Sequence, residues 1–222
     1  MSAGPLDIDY TIRRSARARR VRVTVDPHTG VEVVLPARAA EGEAARAVAQ
    51  LRGWIEARML EAAAVRERIA ARGATVPYLG TDLRLVPEPG RTRVHRRGDA
   101  LLVPAGDAAQ PALERWYRRQ ARDEIAPRLD DAAAALGRRY ASLSIRAQRT
   151  RWGSCSSTGA MSFNWRLLLA PAEVLDYVVW HEACHLAVMD HSPRFWALVA
   201  RHCPGYREPR RWLRRHGATL VL

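Results

Sequence analysis

The stretch His181-Glu182-Ala183-Cys184-His185-Leu186-Ala187-Val188-Met189-Asp190-His191, "HEACHLAVMDH", holds three of the chain's seven histidines. The segment before it, "PAEVLDYVVW", starts at Pro171, a favourable first position of a helix. Val174, Val178, His181 and His185 recur at intervals of four, three and four, so they share one helix face. Two imidazoles one turn apart can hold one metal ion, while Glu182, about 100° round the helix, reaches a metal-bound water without being a ligand. A catalytic zinc takes three protein ligands plus water. His191 follows His185 by six, ahead of Ser192-Pro193, which reads as the N-cap and first position of another helix, "SPRFWALVARH". The expectation is one zinc per chain on His181, His185 and His191, with Glu182 as the catalytic base.

The third ligand's spacing equals that of the metzincin motif, but Val188 stands where metzincins have a turn-permitting glycine. The helix is therefore expected to run on to Met189. Ahead of it, "SLSIRAQRTRWGSC" and "GAMSFNWRLLLA" read as two strand-like segments joined by the turn "SSTG". Residues 109–136 have a helical period, with Leu113, Trp116, Tyr117, Ala121, Ile125, Leu129 and Ala133 as the buried stripe; Pro127 is a candidate kink and Gly137 ends the helix.

Nearer the N-terminus, residues 8–36 carry two or three strands, "RRVRVTVD" and "GVEVVLP" forming an antiparallel hairpin across the turn "PHTG". Residues 41–72 read as one long helix with Val48, Leu51, Trp54, Ile55, Met59 and Leu60 on one side. Short strands "DLRLVPE", "TRVHRR" and "ALLVP" follow. The class is α+β, and a compositional seam near 105–110 suggests an N-terminal β-rich segment with a long helix, 1–107, before a metal-binding catalytic core, 108–222.

Hydrophobic residues make up 48% of the chain and charged residues 27%, as in a globular protein, and no apolar run approaches the ~20 residues of a membrane span. A basic n-region followed by an apolar h-region is missing at the start, so a cytoplasmic location is expected. Net charge is +13, which admits a nucleic-acid or other acidic partner. Every cationic side chain is arginine, a codon-bias signature that removes arginine's fork geometry as evidence of phosphate recognition. Cys155, Cys184 and Cys203 are odd in number, form no C-x-x-C pair, and read as free thiols.

"RTRWGSCSSTGAMSFNWRLLLAP", "DYVVWHEACHL" and "HSPRFW" together resemble the YgjP-like zinc metallopeptidase domains, relatives of the SprT-like and WLM proteases. The resemblance extends over nearly the whole chain. It implies a zincin-like core of active-site helix, backing helix and β-hairpin edge, with zinc on His181, His185 and His191 and Glu182 as base. The hairpin edge is then the strand to which an extended peptide adds by main-chain hydrogen bonds. Arg149 and Arg151 share a strand face there and are candidates to bind a carboxylate or phosphate. Trp152 and Asn164 are further candidates, for substrate contact and for orienting a ligand, and Arg151 or Tyr206 for stabilising an oxyanion. The leading expectation is a zinc-dependent hydrolase of peptide bonds in peptides or proteins. A metal-dependent nucleoside triphosphate pyrophosphohydrolase is the alternative, although the chain carries no glycine-rich phosphate loop. A nucleic-acid-associated basic protein is the third.

Overall fold

A computed structural model describes residues 8–26, 29–148 and 151–222. The chain divides into two compact units, Met1–Ala71 and Arg72–Leu222. In the first, β3 (Gly30–Pro36) is the central strand, antiparallel to β2 (Arg22–Asp26) and parallel to β1 (Tyr10–Ser15). Alternation along β3 sends Val31, Val33 and Leu35 to one face, where they meet Val23 and the helix residues Ala44, Val48 and Ile55.

The single helix expected over 41–72 is two, α1 (Gly42–Gln50) and α2 (Arg52–Ala70), separated at Leu51, whose φ of −100° and ψ of 11° leave the helical region. The break shifts the phase of the apolar stripe. Ile55 is fully buried, but Leu51, Trp54 and Leu60 are exposed.

The second unit opens with a four-stranded sheet in the order β4 (Thr75–Tyr78), β5 (Thr81–Glu88), β7 (Ala100–Pro104), β6 (His95–Arg97). Helix α3 (Ala109–Ala135) runs for 27 residues through Pro127, whose ring sits on the exposed side. All seven residues expected on its stripe are buried. It ends in a Schellman motif: the Gly137 N–H donates to the Ala134 carbonyl and the Arg138 N–H to Ala133, with Gly137 at φ 62°. The compositional seam near 105–110 lies inside this unit. Leu101 and Val103 of β7 share a core with Leu113, Trp116 and Tyr117 of α3, and the Tyr117 hydroxyl donates to the Pro77 carbonyl at 2.6 Å.

A three-stranded sheet follows, ordered β8 (Ser142–Arg146), β10 (Ala160–Asn164), β9 (Gly153–Cys155). The first arm of the expected hairpin is thus two strands on opposite sides of β10. β9 pairs with it antiparallel and β8 parallel, and β9 is an edge. A 3₁₀ helix, Trp165–Leu169, leads into α4 (Ala172–Cys184), and α5 (Pro193–His202), α6 (Arg207–His216) and a last 3₁₀ turn complete the chain. Pro171 takes the N-cap position of α4 with ψ 150° rather than the first helical one. α4 is fixed to α3 through Arg128, which donates to Asp176 (2.9 Å) and to Glu124 (2.6 Å). No described helix is long and apolar enough to cross a membrane.

Candidate metal centre

Helix α4 carries His181 and Glu182 in its last turn, but it ends at Cys184 rather than running to Met189. From His185 the backbone tightens: the N–H groups of His185, Leu186 and Ala187 donate to carbonyls three residues back. That 3₁₀ geometry satisfies carbonyls a helix end would leave open. It also curls the chain early, so that His191 returns toward the helix without the glycine of the related motif. The Asp190 carboxylate holds the corner by accepting the Ser192 N–H at 3.0 Å, and Ser192-Pro193 starts α5 as expected.

The three imidazoles converge, one ligand atom of each lying within 4.8 Å of the others. Their ring centroids are 4.8–5.1 Å apart. The His185 Nδ1 lies 3.0 Å from the Val188 carbonyl, so Nδ1–H donates and Nε2 keeps its lone pair. Nε2 of His181 and of His191 face each other at 3.1 Å. Adjacent ligand nitrogens on a tetrahedral zinc, each about 2.0–2.1 Å from the metal, would stand about 3.3 Å apart. The His181–His191 pair is close to that spacing, and the three ligand atoms, all within 4.8 Å of one another, are near enough to converge on one such ion. The His181 Nδ1 is buried and has no hydrogen-bond partner among the described residues. Burial, reinforced by His185, His191 and Arg210, pushes His181 down to about 3, and burial lowers His185 as well. Both rings are therefore neutral near pH 7, the form that ligates a metal.

Phe195 is the platform under this cluster. It is fully buried in α5, with its ring 5.0, 4.4 and 4.9 Å from those of His181, His185 and His191. Its place in "HSPRFW" was visible in the sequence; its contact with all three rings was not.

Glu182 is 7% exposed and packs against the edge strand β9. A Cβ on Gly153 would come within 2.5 Å of the Glu182 Cγ and 2.7 Å of Oε1, so only glycine leaves room for the carboxylate. The Cys155 N–H on the same strand donates to it. Burial pushes the Glu182 carboxyl up to about 7, against the opposing pull of the Arg151 guanidinium and the Cys155 N–H. A cation on the neighbouring imidazoles would add to that pull and favour the ionised base.

The other expected site residues separate. Arg149 lies outside the described residues. Arg151 is exposed, with its charge felt at Glu182, while Asp176 on α4 pairs with Arg128. Trp152 is partly buried against the core and packs on Gly217. Asn164 is 2% exposed and spends its amide internally: Nδ2 donates to the Gln148 and Arg151 carbonyls at 2.7 and 3.3 Å, and Oδ1 accepts the Arg166 N–H. It braces the strand beside the site and touches neither the histidines nor open solvent. Tyr206 stacks on Trp196, which in turn stacks on His191. Cys184 is buried and the other two thiols half-buried, and burial raises all three.

Three converging imidazoles next to a buried carboxylate are the parts a metal-dependent hydrolase requires. A family model described as YgjP-like, metallopeptidase domain, matches residues 19–216, and the chain belongs to that family. It is accordingly a metallopeptidase domain. Among solved structures, the metallopeptidase zymogen abylysin of Pyrococcus abyssi is similar at 24% identity, over 44% of this chain and 99% of that one, with a TM-score of 0.38. None of the curated proteins compared with the chain matches it.

Proposed function

We propose that the chain is a zinc-dependent peptidase in which His181, His185 and His191 hold the ion and Glu182 is the general base. The observation that carries it is the pairing of the triad, within 4.8 Å, with a carboxylate seated by Gly153 and the Cys155 N–H. When bound, the ion supplies Lewis acidity, polarising a peptide carbonyl and acidifying a water. Glu182 takes the water's proton on a carboxylate oxygen and returns it to the departing amine. Burial raises its basicity toward neutrality, which suits that exchange. β9, an edge strand among the described residues, would accept an extended peptide by main-chain hydrogen bonds from the edge groups that Glu182 does not already occupy. Arg151, exposed and with its charge felt at Glu182, would steady charge on the substrate carbonyl.

Neither the family match nor the geometry gives a nucleotide or nucleic acid a role: among the described residues the only group of three or more potential ligands is the histidine triad, without a carboxylate cluster for magnesium. The test is Glu182→Gln. Zinc per chain should stay at the wild-type level while hydrolysis of denatured casein is lost, since the amide cannot accept the proton. Near-normal turnover by that variant would remove Glu182 from the mechanism.

A further inference from the structure

One rim of the triad, unused in the mechanism above, is aromatic and cationic. The Trp196 ring lies 5.6 Å from His181 and 5.7 Å from His191. Tyr206 stacks on it at 5.4 Å and 16°, and Tyr177, one turn before His181 on α4, lies parallel to Tyr206 at 6.4 Å. Trp196 and Tyr206 line a cavity of about 570 Å³ whose remaining walls are small residues together with Arg207 and Glu208. Arg210, one turn along α6 from Tyr206, lays its guanidinium carbon 4.4 Å over the Trp196 ring.

That contact has a chemical consequence. A guanidinium held over an indole by a cation–π contact, which occupies none of its N–H groups in a hydrogen bond, can still offer them to a carboxylate. Arg207 and Arg210 have no carboxylate partner among the described residues. The acid in the cavity wall, Glu208, is turned to Arg211 at 3.0 Å. Asp190, at the far side of His191, accepts the Ser192 N–H and lies in the field of Arg194. This rim is therefore electropositive, flat-walled and next to the atoms that would do the chemistry.

We propose that Arg210, over the Trp196 ring beside the histidine triad, binds a carboxylate of the substrate, so that peptides with a carboxylate close to the bond cut are preferred. The inference rests on the peptidase reading and adds its substrate class. The carboxylate has two sources, an Asp or Glu side chain or the chain end.

Matched peptides decide the matter. One series is blocked at both ends and differs at a single position, Glu, Ala or Lys; a second has Ala there and a free C-terminal carboxylate. The zinc-loaded full chain should cleave the Glu or the free-acid member about tenfold faster, in kcat/KM, than the Lys or amidated control. A Glu preference assigns the side chain; a free-acid preference assigns the chain end. In Arg210→Glu the ratio should fall at least tenfold and turn toward Lys, with melting temperature and zinc content as controls on fold and site. A ratio that Arg210→Glu leaves unmoved overturns the proposal. If no peptide is cut, anisotropy of the same labelled peptides on Glu182→Gln takes over as the readout. Tighter binding of the carboxylate members, abolished by adding Arg210→Glu, then upholds the subsite while the peptidase reading fails; equal binding of all members overturns both.

Discussion

Among the described residues, every buried side chain of the first unit is aliphatic, from Ile8 and Val23 through Val31, Val33 and Leu35 to Ile55 and Val65. The second unit buries Asn164, Glu182, His185 and Thr219 as well. Leaving a buried polar group unpaired costs about 1–3 kcal/mol, and each of these four has a partner: the Gln148 carbonyl, the Cys155 N–H, the Val188 carbonyl and the His216 carbonyl. Two buried groups without one, the Trp165 Nε1 and the His181 Nδ1, also fall in the second unit. Polar burial is thus confined to the unit that carries the histidines. A large apolar core formed by α3, α4 and the sheets surrounds it. The first unit's core is organised for packing alone, the second's for holding a few polar atoms in fixed places.

Substitutions of like kind in the two units test that contrast. The largest effect is expected from Leu35→Ala, which removes a fully buried side chain from the first core and should lower stability by about 2–5 kcal/mol. Thermal unfolding measures it, and zinc per folded chain should not change; loss of zinc in parallel would show that the site depends on the first unit's packing. Gly153→Ala comes next. The added methyl must displace the Glu182 carboxylate or the strand, and a displacement of about 1 Å costs about 10²-fold in turnover. Zinc content should remain. Shortening the base with Glu182→Asp in the same molecule should be less damaging than it is alone, because the carboxylate retreats from the methyl; strictly additive losses would rule out the steric seat.

Arg151→Ala is expected to change stability by no more than about 0.5 kcal/mol, since the side chain is exposed. Turnover should fall about tenfold if the guanidinium serves the substrate. A large melting shift with unchanged turnover would make Arg151 a strut instead. The smallest effect belongs to Gly53→Ala in α2, where a Cβ meets nothing within 4 Å. Replacing this first-turn glycine should raise stability by at most about 0.5–1 kcal/mol, the value for a helix interior, and leave hydrolysis alone.

What could be read in the sequence was what repeats over short distances. The stripe from Leu113 to Ala133, the Gly137 stop, the Ser192-Pro193 start and the convergence of His181, His185 and His191 are all set by residues within a few turns of one another. Long-range pairing left no such signal. Nothing local in "SLSIRAQRTRWGSC" says that its two ends flank the same strand, β8 parallel and β9 antiparallel to β10. Nor does the sequence bring Gly153 against Glu182 or lay Arg210 over Trp196, because those contacts depend on how elements dock. The phase break at Leu51 was missed for the opposite reason: the apolar period continues through it while the backbone does not. Asn164 is a candidate for substrate contact or for orienting a ligand from its place in the sequence, but the carbonyls its amide meets depend on the path of a neighbouring strand.

The triad's compactness along the chain bears on the order in which the protein matures. All three imidazoles lie between positions 181 and 191, so gathering them closes only short loops, and loop-closure entropy grows with length. An unfolded polypeptide already carries this ligand segment. Metal bound by the unfolded chain subtracts from the stabilisation that its affinity for the folded chain would otherwise confer. The seat of the base, in contrast, joins position 153 to position 182 and forms only when β9 docks on α4. If the triad holds the metal and Glu182 is the base, as proposed, a newly made chain would collect its metal early and become able to cut only at the end of folding, which would limit hydrolysis of its own unfolded neighbours.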